Sequence, residues 1–254
     1  MTVRQIIQLA GSLDIPGLPQ LDVSSREIEI ANLASLKLWG ATAKWGISND
    51  DLGLEDRVTA NKIPLNGSPP STRLENAFDG KPALLLGTAA AVVRDTTFDT
   101  TGSFTVAFNQ CPVADDLSAV GASSAALPGT GQSYWFISTA GGKFRIGTSN
   151  LFTQFTDYTG PVPSKTAWLR MMLKYDRAAG TMTLYVNGVQ QVKLTNDALK
   201  TLSLAPGVCL GGIVTTSSTP GTASCYMRSP MAFNSALTDG ELALVDKYLA
   251  ETYY

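Results

Sequence analysis

The sequence predicts an all-β domain. It holds an antiparallel meander that needs a second layer over its apolar face, one amphipathic helix closes the C-terminal end, and an N-terminal arm precedes the domain. Three observations predict this. Residues Trp168–Leu194 read as a three-stranded meander with one polar and one apolar face. Short alternating runs bounded by Gly, Pro, Asn and Asp recur along most of the chain. Near the end, Thr238 and Glu241 open a helix with a complete set of start signals.

In the meander, Leu169, Met171, Leu173 and Tyr175 fall on one face, because successive strand side chains alternate. Asp176–Gly180 supplies a turn. Met182, Leu184 and Val186 then share a face, with Thr181, Thr183 and Tyr185 on the other. Asn187-Gly188 is the strongest hairpin signal in the chain. A plain two-residue turn there sets Leu184 against Gln191 and Met182 against Lys193, mixing the faces. A three-residue loop, Val186-Asn187-Gly188 with Gly188 as a left-handed bulge, groups Met182 and Leu184 with Val192 and Leu194. That second register is the one expected. The opposite face carries Arg170, Lys174, Thr181, Thr183 and Lys193 and should be wet, whereas the apolar face needs a second layer.

Residues 1–35 differ from the rest and read as an arm; residues 36–254 make up the β-rich remainder. Val3–Leu9 fits a short helix, and Asp14–Gln20 (DIPGLPQ) breaks it. Ser25–Leu38 fits either a helix or a strand. One reading of the arm is a lead-in packed on the domain. The other is an anchor on a neighbouring subunit through Ile6, Ile7, Leu9, Ile15 and Leu18, since so short a segment holds no core of its own. Turn signals at Asp50-Asp51, Asn66-Gly67, Pro69-Pro70 and Asp79-Gly80 follow, with Trp39 and Trp45 as core anchors. Strands are expected at Pro82–Leu86, Ser103–Phe108, Tyr134–Ser138, Lys143–Thr148, Phe152–Tyr158, Leu202–Leu204 and Val208–Ile213. In the last strand, Ala223–Phe233, Cys225, Met227, Met231 and Phe233 share a face, and Pro230 implies an edge or a bulge. The final helix has a Thr238–Glu241 capping box, Leu237 and Leu242 at staple positions, and a Leu242, Val245, Leu249 stripe.

Composition excludes several functions. The net charge is −2 and no basic run occurs, which argues against a nucleic-acid surface. The chain has no histidine, which removes Ser-His-Asp and Cys-His activation and the commonest zinc ligand. Three widely spaced cysteines, Cys111, Cys209 and Cys225, suit buried free thiols better than a disulfide framework. No signal-peptide pattern opens the sequence, and no apolar run approaches the ~18 residues of a membrane span, so no membrane partner is expected.

Taken together, several of these stretches resemble the concanavalin A-like, laminin G-like jelly roll. They are Leu36–Ala41 (LKLWGA), Phe78–Leu86 (FDGKPALLL) before SFTVAF, Asp176–Gly180 leading into LYVNG, and Phe233–Tyr253. The resemblance covers about residues 36–254. It implies the two-sheet jelly-roll sandwich, and it is specific for fold and weak for function. Single-domain chains of this plan resemble bacteriophage virion proteins. The expectation by analogy is therefore a non-enzymatic virion surface protein, a head decoration or fibre-type component, assembled in the host cytoplasm. Its partners would be other virion proteins or further copies of itself.

The alternative is a carbohydrate-binding or adhesion module acting on a host-surface glycan. Sugar sites stack an aromatic on the ring, and Tyr134, Trp135, Phe152, Phe155 and Tyr158 lie in or beside loops suited to that or to an interface. Along Tyr134–Ser138, Trp135 and Ile137 share one face and Tyr134 and Phe136 the other, so one pair should face outward. No cofactor is expected. Asp95, Asp99, Asp115, Asp116 and Asp157 are the residues a lectin-like Ca²⁺ site would draw on, but no D-x-D-x-D-G loop occurs. No strand carries the spaced carboxylates of a glycosidase, and the pairs Asp50-Asp51 and Asp115-Asp116 would point to opposite faces, so no enzyme is expected.

Overall fold

A computed structural model gives the structure of the protein and describes residues 24–41, 53–59, 62–66, 73–76, 79–86, 92–95, 97–113, 119–125, 131–133, 135–140, 143–148, 156–157, 167–211 and 225–251. The first elements are α1 (Ser25–Ala31), β1 (Leu36–Ala41), β2 (Gly53–Asp56), β3 (Lys62–Asn66), β4 (Arg73–Asn76), β5 (Pro82–Leu86) and β6 (Val92–Asp95). Next come β7 (Phe104–Pro112), β8 (Ala119–Ser123), β9 (Trp135–Ala140), β10 (Lys143–Thr148) and β11 (Thr156–Asp157). The meander supplies β12 (Leu169–Asp176), β13 (Thr181–Val186) and β14 (Val189–Thr195). Then follow β15 (Val208–Leu210), β16 (Cys225–Phe233) and α2 (Asp239–Ala250).

The strands form two antiparallel sheets, as expected. In the first, β16 pairs with β7 along one edge and with β5 and β1 along the other, and β7 continues into β12, β13 and β14. The second runs β3-β6-β15-β8-β9-β10-β11, and β2 bridges from β3 to the end of β1. Between them lies the main core, including Phe104, Val106 and Phe108 of β7, Trp135 and Ile137 of β9, and Leu173, Tyr175, Met182 and Leu184 of the meander. Burying side chains of this size contributes roughly 1.5–3 kcal/mol each. Gly121 of β8 leaves room for the side chains of β7: a Cβ there would lie 2.4 Å from Gln110 Oε1.

A third layer covers the other face of the first sheet. Ile30 and Ala31 of α1, Trp39 of β1, Met231 and Phe233 of β16, and Leu242, Val245, Tyr248 and Leu249 of α2 form a second core. The α2 start follows the sequence: Thr238 Oγ1 accepts the Glu241 N–H and the Glu241 carboxylate accepts the Thr238 N–H. Trp39 Nε1–H donates to Tyr248 Oη (3.2 Å), and the two rings meet edge to face. Ser25–Leu38 resolves as a helix followed by a strand. The α1 capping box, Ser24 with Glu27, had a legible S-x-x-E signature. Glu27 pairs with Arg57 and Arg26 with Glu251, so residues 24–35 pack on the sandwich, while residues 1–23 lie outside the described set.

Four expectations need correction. The meander pairs Met182 with Leu194 and Leu184 with Val192, as expected, but by a different device. Asn187 (φ 53°) and Gly188 (φ 78°) make a two-residue turn between paired Val186 and Val189, and the register shift falls at Leu184/Tyr185, opposite Gln190–Val192. The turn and the bulge are separate, and the bulge restores the apolar face. Second, the face expected to be wet is covered only in part: Thr183 is buried, and its neighbour Met172 joins the core under the helices, while Arg170, Lys174 and Thr181 are half-buried and Lys193 is exposed. Third, β16 changes face. A bulge between Arg228 and Met231, with Ser229 at φ 47°, leaves Cys225 and Met227 in the main core and turns Met231 and Phe233 toward the helices. Fourth, Leu202–Leu204 is not a strand; Leu204 makes one isolated bridge with Ser133.

Candidate functional site

Of the aromatics expected to line a sugar site, Tyr134, Phe152, Phe155 and Tyr158 lie outside the described residues. So do the anchoring residues Ile6, Ile7, Leu9, Ile15 and Leu18. Trp135 is described and is fully buried, its ring 5.1 Å from Phe104 in a cluster with Phe98 and Tyr175. Its position is that of a core residue and not of a stacking platform. Phe136 is buried as well, so the outward aromatic pair expected on this strand is absent at that position. The strand is covered on both faces, which alternation alone does not reveal.

A different aromatic lies at the surface. Trp168, just before β12, is partly exposed, and one face of its ring lies against the Arg228 guanidinium, 4.1 Å from Cζ to centroid. Alternation sets Arg228 opposite core-facing Met227, on the outer face of the first sheet. The Arg228 side chain is only 2 % exposed. Asp79, in the exposed turn between β4 and β5, meets it with two bonds: Nη1–H to Oδ2 (2.7 Å) and Nη2–H to Oδ1 (2.8 Å). Nη2–H also donates to Lys81 O (2.6 Å). Trp168 Nε1–H donates to Asp79 Oδ2 (2.9 Å), and the Lys81 N–H donates to Asp79 Oδ1 (3.2 Å).

Asp79 thus accepts four hydrogen bonds, filling the sites a carboxylate offers. The Arg228 guanidinium, against the opposing cost of partial burial, holds its carboxyl down at about 2. Asp79 is therefore a fixed anion at neutral pH and no proton shuttle. What the cluster presents outward is a Trp168 ring held by stacking and by its own N–H, beside exposed Asp79 and Lys81. Sequence reasoning missed this site, although one signal was present. Arg228 is the single charged residue of the β16 stretch CYMRSPMAF, and a buried arginine requires a carboxylate.

A second pair lies on the same face. Arg170 Nε–H donates to Asp246 Oδ1 (2.8 Å), with Nη2–H reaching Oδ2 (3.3 Å). Asn187 Oδ1 accepts the Arg170 N–H, and the Asn187 N–H donates to Arg170 O. This ties the hairpin tip to α2. The three cysteines are buried and form no disulfide, and burial pushes the Cys225 thiol up to about 12. Among the described residues no three carboxylates or thiols converge, and Asp99 Oδ1 is engaged by the N–H and hydroxyl of Thr101. Of the other calcium candidates, Asp95 lies on β6 paired with Val208, Asp157 lies on β11, and Asp115 and Asp116 are outside the described set. No helix among the described residues is long and apolar enough to cross a membrane.

No model of a known protein family matches the chain, and no curated protein sequence does. Solved structures do match. The structure described for botulinum neurotoxin type C, whose cell entry depends on interaction with two ganglioside molecules, matches 85% of this chain at 13% identity and a TM-score of 0.59. The binding domain of botulinum neurotoxin DC in complex with rat synaptotagmin II matches 85% at 13% identity and 0.59. The same binding domain in complex with SialylT matches 85% at 12% identity and 0.58. This chain is a jelly-roll-like β-sandwich. The chain spans about half the length of these structures, 51–52% of each. At this identity the likeness carries the fold and no more.

Proposed function

We propose that this domain is a non-enzymatic carbohydrate-binding or adhesion module whose stacking surface is Trp168. The observation that carries the reading is the Trp168 ring, partly exposed yet fixed by Arg228 on one face and by Asp79 at its N–H. A platform fixed before the ligand arrives loses little entropy on binding. The fold likeness supports the reading, because matched structures are described with gangliosides and with SialylT. The lack of histidine and the fully engaged Asp79 support a role without catalysis.

The test is a broad glycan array, with and without Ca²⁺, followed by calorimetry on any hit. Trp168→Ala should weaken binding at least tenfold, since ring stacking is lost, and Trp168→Tyr should retain part of it. A blank array under both conditions rejects the reading, and undiminished binding by Trp168→Ala removes Trp168 from the site. A virion surface is a second setting for the same module, with residues 1–23, which precede the part packed on the sandwich, as the anchoring arm and host-surface glycan as the target. The plan of a short arm before one sandwich supports it. Absence of the protein from purified particles by mass spectrometry rejects that setting.

A further inference from the structure

We propose that Ser133, Trp135 and Thr148 form a socket for one hydroxylic oxygen inside the sandwich, taken from a trapped water or from an alcohol group of a polyol or saccharide. Trp135 and Thr148 are the last cross-strand pair of β9 and β10. Two residues back from core-facing Ile137 and two residues on from core-facing Ile146, alternation puts both side chains on the inner face. Directly opposed residues have Cβ atoms ~4.5–5.5 Å apart. Ser133 stands two residues before Trp135, pinned where its N–H donates to Ser203 O (2.8 Å) and its carbonyl accepts the Ala205 N–H (2.6 Å).

All three residues are fully buried. Ser133 Oγ, Trp135 Nε1 and Thr148 Oγ1 have no hydrogen-bond partner in the protein. Among the described residues five buried side-chain atoms are in this condition, and three of them fall here. The neighbouring polar groups are satisfied: Ser124 Oγ accepts the Trp135 N–H, Ser123 Oγ–H donates to Ser124 O, and Thr100 Oγ1–H donates to Ala205 O. Trp135 and Thr148 are cross-strand partners and Ser133 is two residues from Trp135, so the three unmatched groups fall at one end of the β9–β10 hairpin. Buried polar groups are nearly always paired, so this set calls for a partner.

The chemistry of that partner follows from the donors. The indole offers an N–H and nothing else, so it needs an acceptor. The two hydroxyls each donate or accept. One oxygen that carries hydrogen meets all three, and a buried water typically makes about three such bonds. Packing against Phe104 fixes the indole, so the socket has a rigid wall. It lies between the sheets, apart from Trp168 on the outer face, and stands whether or not the glycan reading does.

The experiment uses the 15N-labelled full chain, with the Trp135 indole resonance assigned through Trp135→Phe. One arm measures cross-relaxation between the Trp135 Nε1–H and water. The other titrates glycerol, glucose, galactose and sialic acid. A water cross-peak, or a saturable shift with one of these compounds, is expected. Ser133→Ala/Thr148→Val should abolish that signal and Thr148→Ser should keep it. Absence of both signals, or a signal unchanged in the double variant, overturns the proposal. Thermal melting gives an independent sign. Thr148→Val lowers Tm if its hydroxyl holds an oxygen; a raised Tm, the result for an unmatched hydroxyl replaced by a methyl, overturns the socket.

Discussion

Arg170 and Arg228 flank Asn109 in one row across the first sheet: β12 pairs Arg170 with Asn109, and β16 pairs Arg228 with the same residue. Each arginine is held by a different aspartate. Asp246 comes from α2 and Asp79 from the turn before β5. Arg170 keeps 27 % of its side-chain surface exposed and Arg228 only 2 %. The same pair chemistry thus serves two purposes. At Arg170 it fastens a hairpin to a helix, near enough to water that neither charge depends wholly on the other. At Arg228 it makes a buried cation tolerable, and the Trp168 surface is built on top of it.

The largest expected effect follows from that difference. Asp79→Ala leaves a buried guanidinium without its carboxylate, and breaking such a pair costs about 3–5 kcal/mol. Urea unfolding should show this as a large fall in midpoint. Asp79→Ala/Arg228→Met should recover part of the loss, because the uncompensated charge is gone. A cost for Asp79→Ala no greater than that for Asp246→Ala would end the distinction between the two pairs.

Acid sharpens the same comparison with a smaller effect. The Asp79 pKa is lowered to about 2 from the ordinary 3.8. A depressed carboxyl pKa contributes stability that is fully present above the ordinary value. That stability is lost as pH falls through about 2, and because solvent screens the exposed Asp79 it amounts to about 1 kcal/mol. The loss is below that of Asp79→Ala because a protonated carboxyl still occupies the site and still accepts hydrogen bonds. Unfolding midpoints measured between pH 5 and pH 2 should fall less steeply for Asp79→Asn than for the natural chain. Parallel profiles would assign the acid sensitivity to other carboxyls.

How much of this was legible depends on whether the signal was local. The Thr238–Glu241 capping box is complete within four residues and forms as read, whereas the equally local Asn187-Gly188 signal marks the turn but closes it as a two-residue turn and not as the three-residue loop expected. The grouping of Met182 and Leu184 with Val192 and Leu194 followed from keeping apolar residues on one side, but the position of the bulge did not. Either placement satisfies the pattern, and only the actual turn decides. The face switch in β16 is of the same kind, since Ser229 in the left-handed region is a backbone event with no pattern in the side chains. Trp135 was misjudged because a strand covered on both faces buries its aromatics whichever way they point. The Asp79–Arg228 pair joins residues 149 positions apart. Only the need of a buried arginine for a partner, and not any spacing, could have announced it.

The smallest effect tests the Arg170 side. Gly188 has φ 78°, and a Cβ there would lie 2.8 Å from Asp246 Oδ2. Gly188→Ala therefore carries two costs, a left-handed backbone with a side chain and a clash with the Asp246 carboxylate, together about 1–2 kcal/mol. Asp246→Ala alone should cost about 1 kcal/mol, as expected for a partly exposed pair. Combined, the two should cost less than their sum, because removing the carboxylate also removes the clash. The urea midpoints of the two single variants and the double variant measure that coupling. Strict additivity would show that the hairpin tip and α2 do not press on each other, and that the Arg170 pair is a surface contact without the fastening role.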